Sequence, residues 1–113
     1  MGDFLYPKIA TAIEGGIEML FVINDLKYDT DKMQLMSEKC EYIYTYTAFG
    51  SKLSNYGHDV QLWRSVRGRW LLTYNRGYST VYAKTLTEQE AKNLLKKYDL
   101  DKYEELFGEL EEA

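Results

Sequence analysis

The 113-residue sequence predicts an α+β fold: an antiparallel meander packed against C-terminal helices, with a short helix at the N-terminus. Three observations lead there. Val60–Val66, Arg69–Asn75 and Tyr78–Thr85 are strand-like runs separated by Arg67-Gly68 and Arg76-Gly77, each the length of a two-residue hairpin turn. Thr87-Glu88-Gln89-Glu90 is a capping box that opens a helical stripe of Ala91, Leu94, Leu95 and Tyr98. Tyr42-Ile43-Tyr44-Thr45-Tyr46-Thr47 has high β-propensity throughout.

The elements follow in order. Leu5, Ile9, Ala12 and Ile13 keep a helical spacing behind Asp3 as a candidate N-cap, so residues 1–16 are expected to be a helical extension ended by Gly15-Gly16. Ile17–Ile23 is short, apolar and bounded by Gly-Gly and Asn-Asp, which favours a strand over a helix. Lys32–Glu38 and Glu41–Phe49 are further strands, and Gly50–Gly57, with Ser51, Ser54 and Asn55, is a loop. The sheet thus occupies residues 17–86 and the helices 87–110, in one domain. Asp101-Lys102-Tyr103-Glu104 is a second capping box, leading to Tyr103, Leu106, Phe107 and the stop at Gly108.

Two-residue turns fix the register and therefore the faces. Trp63 sits opposite Leu72, Leu72 opposite Val81, and Trp70 opposite both Ser65 and Ala83. One face collects Trp63, Trp70, Leu72, Tyr74, Val81 and Ala83 as a core for the first helix to cover. The other presents Arg64, Arg69, Leu71, Tyr78, Tyr82 and Lys84 as a basic, tyrosine-bearing binding surface. A one-residue slip exchanges the two sets.

The net charge of −4 conceals a segmental pattern. Residues 1–40 carry four lysines against seven acids, residues 41–86 six cations against two, and residues 87–113 four against nine. The basic middle also holds ten of the seventeen aromatic residues, including both tryptophans. Charge asymmetry of this kind bears on partners and steering. Glu104, Glu105, Glu109, Glu111 and Glu112 form a second candidate surface, acidic, at the C-terminal end.

The longest apolar run, Met19–Ile23, is far short of a membrane span, and the N-terminus lacks the basic region of a secretory signal. With Cys40 as the single cysteine, the expected setting is a reducing, cytoplasmic one. His58 is the only histidine and makes neither a dyad nor a two-histidine metal site, which leaves a redox or metal enzyme centred on Cys40 and His58 a poor reading. Asp25, Asp29 and Asp31 imitate the start of a calcium loop, but Gln34 stands where glycine is required. No phosphate loop, nucleophile elbow or His-Glu-x-x-His is present. The expectation is a non-enzymatic binder with no catalytic, cofactor or metal residues. Arg67–Tyr74 echoes the RNA-recognition octamer only at Arg67, Gly68 and Tyr74, and lies within a meander rather than a βαββαβ order. Arginines interleaved with tyrosines on one sheet face nevertheless suit either a protein interface or single-stranded nucleic acid.

From Lys27 onward the order of signals resembles a group of small accessory proteins of bacterial phages and integrative mobile elements. The resemblance rests on Lys27-Tyr28-Asp29-Thr30, Val60–Arg64, Gly68–Leu72, Leu86–Ala91 and the ending Asp101–Gly108. The chain departs from that group in reducing the insert between the last strands to Arg76-Gly77, and in carrying an N-terminal extension. The resemblance implies a stoichiometric partner of a host protein or protein–nucleic-acid complex, such as a CRISPR or restriction effector. The alternative is a small single-stranded nucleic-acid-binding accessory protein using Arg64, Arg69, Tyr78, Tyr82 and Lys84.

Overall fold

The computed structural model describes residues 4–7, 12–13, 16–17, 19–77 and 80–113. In chain order the strands are β1 (Phe4–Pro7), β2 (Ala12–Ile13), β3 (Gly16–Ile17), β4 (Leu20–Ile23), β5 (Leu26–Asp29), β6 (Gln34–Ser37), β7 (Ile43–Ala48), β8 (Ser51–Tyr56), β9 (His58–Arg64), β10 (Trp70–Asn75) and β11 (Thr80–Leu86). They are followed by helices α1 (Glu88–Tyr98) and α2 (Leu100–Phe107), giving the predicted α+β class. Five strands form one antiparallel sheet in the order β1-β11-β10-β9-β6, while β2–β3, β4–β5 and β7–β8 are separate two-stranded pairs.

The N-terminal helix is the first correction. Phe4–Pro7 is an edge strand paired with β11, Phe4 opposite Ala83, and Ala12–Ile13 pairs with Gly16–Ile17. A partly helical spacing over so few residues is overridden by an available sheet edge. The second correction is residues 50–57, expected as a loop. Ser51–Tyr56 is strand β8, joined to β7 through Phe49-Gly50 alone, with Ala48 opposite Ser51. Both turn residues have positive φ (53° and 73°), the primed geometry that suits the twist of a hairpin. Asn24-Asp25, with φ of 52° and 62°, makes the equivalent turn between β4 and β5.

The register of the central meander is the third correction. Gly68 donates its N–H to Ser65 O at 2.9 Å, Ser65 N–H to Arg69 O at 2.8 Å, and Gly68 has φ +81°. The connection therefore has three residues, Val66-Arg67-Gly68, with glycine in the left-handed position of a bulge. Trp70 lies opposite Arg64 and Leu71 opposite Trp63, one residue away from the two-residue expectation. On the other side Asn75 lies opposite Val81 and Leu72 opposite Lys84, three residues away from it. Both offsets are odd, so β9 and β11 turn their side chains over relative to β10.

One face of the sheet consequently carries Leu62 and Arg64, Trp70, Leu72 and Tyr74, and Tyr82 and Lys84. The other carries Trp63, Leu71 and Thr73, and Val81 and Ala83. Both are covered. Ala91, Leu95 and Tyr103 pack on Leu62, Trp70 and Leu72, as expected of the first helix. Met19, Phe21, Ile23 and Tyr28 of the β4–β5 side pack on Leu71, Val81 and Ala83, with Trp63 at their margin. Trp63 is thus in the second layer, away from Trp70, its indole N–H donating to Thr73 Oγ1 at 3.0 Å. The central strand β10 is buried from Trp70 through Tyr74, the condition of a strand packed on both faces.

The helices obey their caps. Thr87 Oγ1 accepts the Glu90 N–H at 3.2 Å and the Glu90 carboxylate accepts the Thr87 N–H at 2.9 Å. α2 begins one turn-fragment earlier than the Asp101 box predicts. Asp99 is its N-cap, accepting the Lys102 N–H at 3.3 Å, and Gly108 (φ +96°) ends it as expected. The bond from the Thr87 backbone is the main cause that holds the Glu90 carboxyl below its ordinary pKa. A depressed carboxyl stabilises the fold above its unfolded pKa and loses that contribution as pH falls through the folded one. Thr87→Ala is expected to cost about 1 kcal/mol in urea unfolding at neutral pH. Wild-type stability should also decline on acidification through the carboxylate range, in part because Glu90 becomes protonated.

Candidate interaction surface

The residues expected to form a basic binding face do not form one. Leu71 is fully buried, 0% exposed, on the face opposite Arg64 and Lys84. Arg64, Tyr82 and Lys84 do share a face, but it is the one under the helices and the tyrosines of residues 42–44. Their polar ends are engaged there. The Arg64 guanidinium lies 5.2 Å from the Trp70 ring centroid, and the Lys84 ammonium 5.5 Å from that of Tyr42. Tyr82 stacks on Tyr74 at 5.6 Å. Arg69 is exposed at the Val66–Gly68 turn, apart from the others, and Tyr78 lies outside the described residues. Cation–π contacts of this kind attach a cation to its own domain rather than presenting it to a partner.

The acidic candidates are partly engaged within their own helix. Glu105 pairs with Lys102 at 2.6 Å, and Glu104 accepts the Leu110 N–H at 3.1 Å. Glu109, Glu111 and Glu112 are exposed beyond the end of α2. His58 is exposed on β9. Asp29 accepts the Asp31 N–H at 3.0 Å and so caps the short turn at Thr30–Lys32. Cys40 is buried and free, and burial pushes its thiol up in pKa, with a Ser37 hydrogen bond opposing and the Asp99 charge adding. A neutral buried thiol is a packing group, not a nucleophile. Among the described residues no group of three or more His, Cys, Asp or Glu is placed to hold a metal ion. No described helix is long and apolar enough to cross a membrane.

The surface that the sequence reading missed is the β7–β8 hairpin. It is outside the five-stranded sheet, and β7 and β8 pack chiefly on each other. All six residues of β8 are exposed, and except for the buried Tyr44 the large apolar side chains of the hairpin face solvent, among them Ile43 53%, Tyr56 57% and Leu53 40%. Phe49, at the tip, is 104% exposed. The register sets Ile43 and Tyr56 on one face of the hairpin and Tyr46 and Leu53 on the other, with Phe49 at the turn. Single exposed apolar residues are ordinary, but five on one short element are more than a surface usually carries. Residues 43–56 contain one charge, Lys52, in a chain otherwise rich in charge.

The base of this arm is well fixed. Gly57 donates its N–H to Tyr42 O at 2.8 Å, closing the ladder below Ile43–Tyr56. Tyr42 and Tyr44 meet Tyr74 at ring separations of 4.7 Å and 5.8 Å. The Arg76 guanidinium lies 4.5 Å from the Tyr44 ring centroid and 3.9 Å from that of Tyr82, and donates to Tyr74 Oη at 3.1 Å. Arg76 thereby links the arm, the central strand and β11. Gly57 is needed at the joint, because a Cβ there would stand 3.0–3.2 Å from the Tyr74 side chain. Beside the base lies a cleft of about 700 Å³ lined by Trp63 and Tyr56 with the carboxylates of Glu38, Glu41 and Asp59. Two of these already accept hydrogen bonds, Asp59 from Asn75 at 3.0 Å and Glu38 from Gln61 at 3.3 Å.

Fold and surface together define an α+β domain that carries an aromatic arm with a single charge, Lys52, on a tyrosine–arginine joint. No family model matches the chain, and no curated protein or solved structure matches it either.

Proposed function

We propose that the protein is a stoichiometric binder, not an enzyme, and that the tip and faces of the β7–β8 arm seat on a partner protein. The observation that carries this reading is Phe49, wholly exposed at the end of a hairpin on which Ile43, Tyr46, Leu53 and Tyr56 also face solvent. Tyrosine and phenylalanine on a fixed scaffold are what interface centres use, since they bury large area at low cost in side-chain entropy. The arm is held at its base by Arg76 and the tyrosine cluster, so it is pre-organised rather than ordered on binding. The resemblance to mobile-element accessory proteins supports a host defence complex, of the CRISPR or restriction type, as the partner. The single-stranded nucleic-acid alternative loses support, because the cations it needs are dispersed or stacked on the domain's own rings.

The test is co-purification of the full-length tagged chain with such an effector, comparing wild type, Phe49→Asp and Arg69→Glu. Loss of the effector with Phe49→Asp, and retention with Arg69→Glu, is expected. Retention with Phe49→Asp, or a salt-sensitive oligonucleotide complex lost with Arg69→Glu, would transfer the binding function elsewhere.

A further inference from the structure

We infer that the outer edge of β8 pairs with the same edge of a second copy of this chain, joining two arms into one four-stranded antiparallel sheet. This uses the edge of the arm, not its tip, and stands or falls separately from the docking of a partner protein.

The hydrogen-bond alternation identifies the free edge. In a two-residue hairpin the pair flanking the turn is doubly bonded, and bonded and non-bonded pairs then alternate. With Ala48 opposite Ser51, the inward-bonded pairs are Ala48–Ser51, Tyr46–Leu53 and Tyr44–Asn55. The Gly57 N–H donating to Tyr42 O continues that series, and the Tyr56 N–H, which the alternation turns outward, is taken by its own Asn55 side chain at 2.8 Å. Lys52 and Ser54 therefore direct their backbone N–H and C=O away from β7. No further strand among the described residues pairs with β8.

Natural sheets protect such edges with shortness, proline, lysine or other charges, a bulge or a covering element, and of these β8 has Lys52 alone. β8 has six regularly paired residues, no proline, no bulge, and Lys52 as its one charge. A two-stranded hairpin is also marginal in water unless further strands or a covered face support it. The occupant is a second copy for an electrostatic and a geometric reason. Two chains of net charge −4 repel over most of their surfaces, but residues 43–56 hold only Lys52, so this is where like copies approach at least cost. An antiparallel two-fold centred on Leu53 sets each Lys52 opposite the partner's Ser54, so the cations do not meet, and the contact closes as an isologous dimer.

Sedimentation of the full chain over a concentration series up to about 100 μM is expected to show a monomer–dimer equilibrium. Ser54→Pro removes an outward N–H without touching the inward ladder, so it should give a monomer whose far-UV spectrum and thermal midpoint match dilute wild type. Amide exchange at Lys52 and Ser54 should slow as wild-type concentration rises, a readout that needs no variant. Phe49→Asp should still dimerise, which separates this contact from partner docking. A wild-type chain that stays monomeric throughout, or a Ser54→Pro chain that still dimerises, would overturn the inference.

Discussion

Leu71→Ala is expected to destabilise the domain by about 2–5 kcal/mol, measured by urea unfolding. Leu71 is fully buried between Trp63 and Thr85 on the sheet face that receives Phe21 and Ile23. The β4–β5 layer cannot collapse into the vacated space without shifting against Val81 and Ala83. Domains of this size are stable by only about 5–15 kcal/mol, so the upper end of that range would leave a large unfolded fraction at room temperature. Val66→Ala is the control: Val66 is 93% exposed, and its truncation should change stability by less than about 0.5 kcal/mol. Were Leu71 on a solvent-facing binding surface, the two variants would behave alike. A Leu71→Ala midpoint equal to that of Val66→Ala therefore rules out the observed register.

Asp99→Ala should cost about 2–4 kcal/mol in the same measurement, the sum of a lost helix cap and a lost buried charged hydrogen bond. Asp99 accepts the Ser37 hydroxyl at 2.7 Å and the Lys102 N–H at 3.3 Å, while its own N–H donates to Leu95 O at 2.8 Å. One side chain thus caps α2, closes the junction with α1 and ties both helices to the end of β6. Its contact with Lys39 at 3.9 Å is to an exposed ammonium and adds little. Asp99→Asn keeps its one carbonyl oxygen for the Lys102 N–H and turns its amide N–H toward Ser37 Oγ, which can accept it, so it should cost less than half as much. Equal losses for the two variants would mean that the charge, rather than the hydrogen-bond geometry, holds the junction.

The two errors of placement have a common physical origin. An Arg-Gly dipeptide signals a two-residue turn, but Gly68 takes φ +81° as the last of three residues, and that one added residue reverses a face. The true two-residue turn, Phe49-Gly50, was hidden because Phe49 gives no turn signal and serine and asparagine in β8 look loop-like. One sign was legible. Trp70-Leu71-Leu72-Thr73-Tyr74 is almost continuously apolar, without the alternation of a half-exposed strand. Such a run belongs to a strand buried on both sides, which leaves no room for a basic face on β10.

By itself the sequence determined what depends on near neighbours along the chain: the α+β class, the capping box at Thr87–Glu90, the stop at Gly108 and the cover of Trp70 and Leu72 by the first helix. Capping and helical spacing act within four residues, so a linear pattern contains them. Tertiary structure alone decided which side chains face solvent. That depends on the register of strands whose turns differ by a single residue, and on which apolar hairpin finds a sheet to cover. β4–β5 found one and became a layer of the core. β7–β8 seats Tyr44 alone on the sheet, and the rest of it became an exposed arm.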